Sequence, residues 1–254
     1  MSEQRVITDI VEGLEIVASL QQKTLLVDKI FAERSCRTIG FVNAHAVNLA
    51  CANSHFQSAL LGSSYLLRDG VGMEWLLRLG RRDPGLNMNG TDLIPELIRE
   101  AISRGYAFCI LGTQSPYNER AAGVVRAWGG EMALVMDGFS AISAYQQSLK
   151  ALKHERMCIV LGMGMPKQEL LSLALMADTD VLARDWLVLN GGAIIDFLGG
   201  KVVRAPLLLR RMKLEWLYRL VQEPRRMWRR YLLGNLIFLY RTFLYRLSLA
   251  RRGA

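Results

Sequence analysis

The chain has 254 residues, a formal net charge of +9 and 51% hydrophobic residues, which suits one compact α/β domain of about 200 residues with an appendage. No stretch reaches the roughly 18 uninterrupted apolar residues that a membrane-spanning helix needs. The first five residues, Met-Ser-Glu-Gln-Arg, lack the apolar core of a signal peptide. The four cysteines are scattered, so neither a disulfide framework nor a zinc site is indicated. These features predict a cytoplasmic protein that does not cross a membrane.

Short apolar runs alternate with helical patterns along the first 200 residues. The predicted strands are 38–42, 65–67, 106–111, 131–136, 157–161 and 186–189. Helical patterns follow at 44–52, at 73–79, at 92–104 with Thr91 as N-cap, and from Tyr117. Apolar strands that alternate with helices predict a parallel sheet covered on both faces. We therefore expect a Rossmann-like core over residues 1–200, and no internal repeat is evident.

Small and polar residues follow four of these strands, at the edge where parallel sheets bind ligands. Gly112 and Thr113 open a loop whose amides begin a helix, which suits phosphate but is equally an ordinary turn. Asn43 precedes a helix and suits a simple N-cap. Asp69, between Arg68 and two glycines, is placed to accept a proton from a hydroxyl, although a turn aspartate is the commoner alternative. No complete dinucleotide fingerprint or Walker loop is present, which argues against a nicotinamide-dependent oxidoreductase.

The positive charge of the chain is concentrated at its end. Residues 201–254 carry 14 Lys and Arg against two acidic residues, with tryptophan, tyrosine and phenylalanine interleaved. Basic and aromatic side chains together are typical of a segment that lies on an anionic membrane. The same composition suits a nucleic-acid-binding α/β protein, which is the alternative, and it also suits an arginine-rich helix packed on its own domain. We expect residues 201–254 to form a basic helical membrane-association appendage.

An ordered set of segments resembles the WecG/TagA/CpsF glycosyltransferases, also called glycosyltransferase family 26. The matching segments are FVNAHAVNLA around Asn43, RDGVGMEW around Asp69, NGTDLIPELI from Asn89, ILGTQSPYNERAA from Ile110, DGF at Asp137, LGMGMPKQE from Leu161 and NGGAIIDFLGGKVVRAP from Asn190. The segment RRMKLEWLYRLVQEPRRMWRRYLLGN then resembles the C-terminal part of the family. The resemblance covers roughly residues 25–240.

The resemblance implies an inverting transferase that needs neither a metal nor a cofactor. It implies transfer of a sugar from a UDP donor to a polyprenyl-diphosphate-linked saccharide, by a peripheral protein on the cytoplasmic face of the inner membrane. The residue that matches the proposed general base of the family is Asp69. Those that match its pocket and nucleotide contacts are Asn43, Gln168, Gly138, Phe139 and Asp196.

The chain departs from the family pattern at Asn87. N-acetylmannosamine-type members have an arginine there, which can hold a phosphate or an acidic sugar in a bidentate contact. The asparagine resembles the glucosyltransferase branch of xanthan-type exopolysaccharide assembly, so the donor sugar stays open, as do the acceptor, the linkage and a homo-oligomeric state. We hypothesise that arginines of the appendage, residues 201–254 and called the tail below, bind the phosphates of the UDP donor instead: Arg210, Arg211 and Arg219. The outer arginines of the tail are expected to face lipid: Arg225, Arg226, Arg229 and Arg230.

Overall fold

The computed structural model describes residues 2–252. Its centre is a six-stranded sheet of β1 (Arg37–Val42), β2 (Tyr65–Arg68), β3 (Ala107–Gly112), β4 (Glu131–Met136), β5 (Arg156–Gly162) and β6 (Asp185–Asn190). All strands are parallel and lie in the order β2-β1-β6-β5-β3-β4. The predicted α/β fold is confirmed.

Helices cover both faces of this sheet. One face carries α2 (Leu20–Ala32), α6 (Gly90–Ser103), α7 (Tyr117–Ala127) and α11 (Ile194–Leu198). The other carries α1 (Glu3–Gly13), α3 (Ala44–Ala52), α4 (Ser54–Leu61), α5 (Gly70–Leu79), α8 (Ile142–Lys150), α9 (Lys167–Met176) and α10 (Thr179–Leu182). Successive residues of a strand enter opposite layers, as Cys158 and Ile159 do on β5. The strands are continuously apolar because both faces are buried.

The basic segment folds into helices that return to the core. They are α12 (Leu207–Arg211), α13 (Glu215–Gln222), α14 (Pro224–Trp228), a π-helical turn (Arg229–Leu233) and α15 (Gly234–Arg252). Phe238 and Tyr245 of α15 are buried in one cluster with Leu76 and Leu77 of α5. The last helix is therefore part of the core packing, while a domain boundary at residue 200 stays a prediction. Within residues 2–252, no helix has the length and apolar character needed to span a bilayer.

One local prediction from the sequence is wrong. α6 begins at Gly90 because Asn89 is its N-cap, with Oδ1 accepting the Asp92 N–H at 2.9 Å, so Thr91 lies inside the helix. Two loops that follow strands share a short pattern. The pattern Leu-Gly-x-x-x-Pro connects β3 to α7 at 111–116 and β5 to α9 at 161–166, and both prolines follow cis peptide bonds.

Candidate active site

Asp69 lies directly after β2, at the carboxyl edge of the sheet. It occupies the N-cap position of α5, yet its side chain makes no capping hydrogen bond. The carboxylate is instead hydrogen-bonded by the side chain of Asn43. Burial raises the pKa of Asp69, whereas the Asn43 hydrogen bond and the positive charge of Arg230 act in the opposite direction. A carboxylate with a raised pKa and no capping role is suited to proton transfer.

Asn43 has two duties at once. Its Oδ1 accepts the Ala46 N–H at 3.1 Å and so caps α3. Because the amide oxygen is used by the cap, the Nδ2 group is the end that donates to Asp69. The capping interpretation is therefore correct, and the cap also fixes the orientation of the donor to Asp69.

A half-buried arginine of the tail acts electrostatically on this carboxylate. Arg230, in the π-helical turn, acts on the pKa of three groups around it, which are Asp69, His45 and Glu169. Its Nε is buried and has no hydrogen-bond partner among residues 2–252. Burial lowers the pKa of Arg230. Arg230 fits the hypothesis of lipid-facing outer arginines less well than Arg229, because its Nε is enclosed by the protein while Arg229 is exposed.

His45 and Glu169 are titratable groups of this site that the sequence analysis did not select. Burial, together with the charge of Arg230, lowers the pKa of His45 to about 4, so the imidazole is neutral at pH 7. Burial raises the pKa of Glu169 to about 7. The Oε2 of Glu169 is buried and has no hydrogen-bond partner within the described residues 2–252. His45 lies in the same segment as Asn43, which was a usable signal, but a glutamate in the first turn of a helix normally faces water and carries no such signal.

Gln168 connects two elements beside the site and is only 1% exposed. Its Nε2 donates to Glu169 Oε1 at 2.8 Å, and its Oε1 accepts the Gly192 N–H at 3.1 Å. The side chain thus ties the start of α9 to the loop after β6. Both ends of the amide are engaged within the protein, and a direct contact with substrate stays a prediction.

A second group of residues meets at the ends of β3 and β4. The Gly138 N–H donates to the Thr113 carbonyl at 2.8 Å, and Lys201 Nζ donates to Thr113 Oγ1 at 3.0 Å. A Cβ on Gly112 would lie 2.5 Å from the backbone of β5, so only glycine permits this close approach. The Phe139 ring is exposed beside them. This edge therefore combines tightly packed backbone, a lysine and an open aromatic face.

Asp196 links this second group to the tail. The residue is buried on α11, and its Oδ1 lies 3.3 Å from Lys201 Nζ. Its Oδ2 lies 4.0 Å from Nη1 of Arg226, which also pairs with Glu223 at 2.8 Å. Arg226 is thus engaged with the core and does not act as a purely outer arginine.

The structure separates the three arginines that were expected to bind phosphate. Arg219 stacks over the Phe197 ring at 5.5 Å and acts on the pKa of Asp69, so it belongs to the site. Arg210 lies 3.8 Å from Asp92 at the start of α6. Arg211 is exposed and forms no ion pair within the described part of the chain.

Asn87 is hydrogen-bonded to the backbone next to Asp69, the candidate general base. Its Oδ1 accepts the Gly70 N–H at 2.8 Å, directly after Asp69. The loop that carries it is held by Arg68, whose Nε donates to the Pro84 carbonyl at 2.6 Å. Asn87 also lines a cleft of about 200 Å³. The departure from the family pattern therefore lies next to the candidate base.

The family model described as the glycosyl transferase WecG/TagA/CpsF family matches residues 11–252. The chain belongs to this family. The match spans both the sheet and the tail helices, and the resemblance predicted from the order of the motifs is confirmed. Membership makes the protein a glycosyltransferase of polysaccharide biosynthesis. Among residues 2–252, no three His, Cys, Asp or Glu side chains form a group that would hold a metal ion.

Proposed function

We propose that this glycosyltransferase moves a sugar from a UDP-sugar to a hydroxyl of a polyprenyl-diphosphate-linked saccharide, with inversion and without a metal. The observation that supports this most is the setting of Asp69, a desolvated carboxylate that caps nothing, is held by Asn43 and faces Arg230. One base is enough for an inverting transfer, because only the acceptor hydroxyl must lose a proton.

In the proposed reaction, Asp69 takes the proton of the acceptor hydroxyl as the hydroxyl oxygen attacks the anomeric carbon. The bond from that carbon to the UDP oxygen breaks on the opposite side, and its electron pair stays with the β-phosphate. Arg230 and Arg219 supply positive charge beside the base. Because Arg230 Nε is buried without an acceptor among residues 2–252, a phosphate oxygen would satisfy it.

The second group of residues suits the nucleoside part of the donor. The exposed ring of Phe139 is available for stacking on uracil, and the carboxylate of Asp196 is a candidate acceptor for a ribose hydroxyl. Gly112, Thr113 and Gly138 bring backbone close to that position. We assign these residues to UDP and the cleft at Asn87 to sugar or acceptor contacts.

The tail suits an anionic bilayer on the cytoplasmic face of the inner membrane, as expected of a peripheral enzyme with a lipid-linked acceptor. Large apolar side chains are exposed on α15: Leu236, Ile237, Leu239, Tyr240, Phe243 and Leu247. Exposed arginines flank them, among them Arg225, Arg229 and Arg251. Apolar and basic groups together favour an interface between headgroups and acyl chains. Membership in a glycosyltransferase family does not support the alternative, a nucleic-acid-binding α/β protein.

The test is acceptor-dependent release of UDP, with and without a chelator. UDP-glucose, UDP-N-acetylmannosamine and UDP-N-acetylmannosaminuronate would each be offered with synthetic polyprenyl-diphosphate saccharides. We expect one donor to react in the chelator, and Asp69→Asn to lower turnover by roughly 100-fold or more while UDP binding is kept. Asp28→Asn, an exposed carboxylate on α2, is the matched control. Near-normal turnover of Asp69→Asn, or a requirement for added Mg²⁺ or Mn²⁺, would contradict the proposal.

A further inference from the structure

The core helix α5 and the tail helix α15 lie side by side. A Cβ on Gly72 would be 3.3 Å from Phe238 Cε1, and a Cβ on Gly80 would be 3.5 Å from Tyr245 Cε1. Because the two contacts come in the same order along α5 and along α15, the two helices run in the same direction. Phe238 and Tyr245 are buried at this contact, so the opposite side of α15 faces outward.

The outward side of α5 is apolar. Trp75 is 51% exposed and Leu79 is 47% exposed, and a spacing of four residues places them on one face of the helix. Along the axis of α5, Trp75 and Leu79 lie between Gly72 and Gly80, the two positions that contact α15. On α15 the same level carries the exposed rings of Tyr240 and Phe243. The apolar surface of the tail therefore continues onto the core.

Most charges around this face are positive, although Asp83 beyond the helix is an exposed carboxylate. The one acidic residue of α5 is Glu74, whose Oε2 lies 2.8 Å from Lys213 Nζ and whose Oε1 lies 3.3 Å from Arg78 Nε. Arg81 and Arg82 follow the helix and are exposed. A second copy of the chain would bring the same positive charge against this face, whereas an anionic bilayer would be attracted to it.

We propose that the α5 face, defined by Trp75 and Leu79, enters the headgroup region of an anionic bilayer together with α15. The core would then contact lipid directly, and the tail would not be the only anchor. This inference rests on the proposed membrane association of the tail. Because Asp69 precedes α5 and a helix rises about 1.5 Å per residue, Trp75 lies roughly 9 Å along the axis from the base. Such a placement brings the base near the level at which the diphosphate of a lipid-linked acceptor lies.

The first test is binding of the full-length protein to phosphatidylglycerol vesicles at low salt, measured by co-sedimentation. We expect Trp75→Gln combined with Leu79→Gln to weaken binding by roughly tenfold or more, because binding scales with the buried apolar area. The matched control is Leu20→Gln combined with Leu25→Gln, which removes two leucines of α2 that are also exposed, but on the opposite face of the sheet. The control should bind like the wild type, and circular dichroism should show both variants folded.

The second test places an environment-sensitive dye on Leu79→Cys and, as its control, on Leu25→Cys. Anionic vesicles should shift the emission of the Leu79→Cys label to the blue and leave the Leu25→Cys label unchanged. If the wild type binds the vesicles, the α5 variant binds them equally well and the dye emission does not shift, only the α5 inference is overturned. A wild-type protein that ignores the vesicles overturns both this inference and the membrane part of the proposed function. A wild-type dimer that the α5 variant dissociates, with vesicle binding unchanged, assigns the face to a second copy and also overturns it.

Discussion

Arg37 and Arg230 lie at opposite ends of the sheet. Arg37 is fully buried, and Arg230 is half-buried with an enclosed Nε. Arg37, at the amino end of β1, donates from Nη1 to Asp185 Oδ1 at 2.7 Å and from Nη2 to the Tyr106 hydroxyl at 2.8 Å. Arg230, at the carboxyl ends, has no hydrogen-bond partner for Nε among the described residues. Burial acts to lower the pKa of both, but the bonds to Tyr106 and Asp185 raise that of Arg37, while that of Arg230 stays lowered.

The two ends of the sheet differ in the same way beyond these arginines. Near the carboxyl ends, Glu169 Oε2 and Asn190 Nδ2 are also buried without partners in the part of the chain that the structure describes. A buried polar atom without a partner costs about 1–3 kcal/mol, which a bound ligand can remove. Asp185, at the amino end, is by contrast held by several donors at once. Arg37 and Asp185 at the amino end are thus held by internal hydrogen bonds, whereas Arg230, Glu169 and Asn190 keep spare hydrogen-bonding capacity at the end where a ligand is expected.

The largest expected effect is on stability at the amino end. Arg37→Met should lower the free energy of unfolding by about 3–5 kcal/mol, because it leaves the buried Asp185 without its main partner. Urea titration measures this. Arg34→Met is the matched control, since Arg34 also pairs with Asp185, at 3.1 Å, but is 59% exposed; its cost should stay below about 1 kcal/mol. Equal effects of the two variants would remove the contrast between buried and exposed arginines.

At the carboxyl end the same type of change should act on catalysis. Arg230→Met should lower transfer by roughly 100-fold or more, the usual scale for losing a donor to a developing negative charge. The free energy of unfolding should change by no more than about 1 kcal/mol, because the guanidinium Nε has no internal bond to lose. Arg229→Met, in the exposed neighbour, serves as the control for UDP release. A destabilised variant with normal specific activity would make Arg230 structural like Arg37.

The pH dependence of the free energy of unfolding at Glu169 gives a further test of this comparison. Its folded-state pKa of about 7 lies above the ordinary value of 4.5, so the folded protein holds a proton that the unfolded chain releases between these values. Its contribution to stability therefore falls as pH rises from about 4.5 to 7. Glu169→Gln should match the wild type at pH 4 and exceed its free energy of unfolding by about 3 kcal/mol at pH 8.

The control for this titration is Glu119→Gln, at the same position in the repeated turn that begins α7. Glu119 is exposed, so its replacement should leave the pH dependence of unfolding unchanged. Parallel curves for Glu169→Gln and the wild type would show that burial does not perturb Glu169.

The smallest expected effect is at the tail surface. Arg225→Ala and Arg229→Ala should each weaken binding to anionic vesicles by about 1 kcal/mol, an effect that added salt screens. Transfer to a short-chain soluble acceptor should stay within about twofold of the wild type, because both side chains are exposed. If either variant lost transfer to the soluble acceptor, the replaced arginine would have a role in catalysis in addition to Arg230.

The sequence alone predicted the strands closely, because a sheet buried on both faces requires continuous apolar runs that are easy to recognise. It also selected Asp69 and Asn43, which the fold brings together by the pairing of β1 with β2. The start of α6 was missed because Asn89 and Thr91 are both good capping residues, and only backbone geometry selects between them.

By itself the sequence determined the family, the parallel sheet and the set of polar residues at its carboxyl edge, since local pattern and motif order carry that information. Tertiary structure decided which arginines of the tail enter the site. Arg229 and Arg230 are neighbours in sequence, yet Arg229 is exposed, whereas Arg230 is half-buried and acts on the pKa of Asp69. That difference depends on how the π-helical turn packs over the strand ends, and the unusual pKa of Glu169 depends on burial in the same packing. Both follow from long-range contacts that no local pattern encodes.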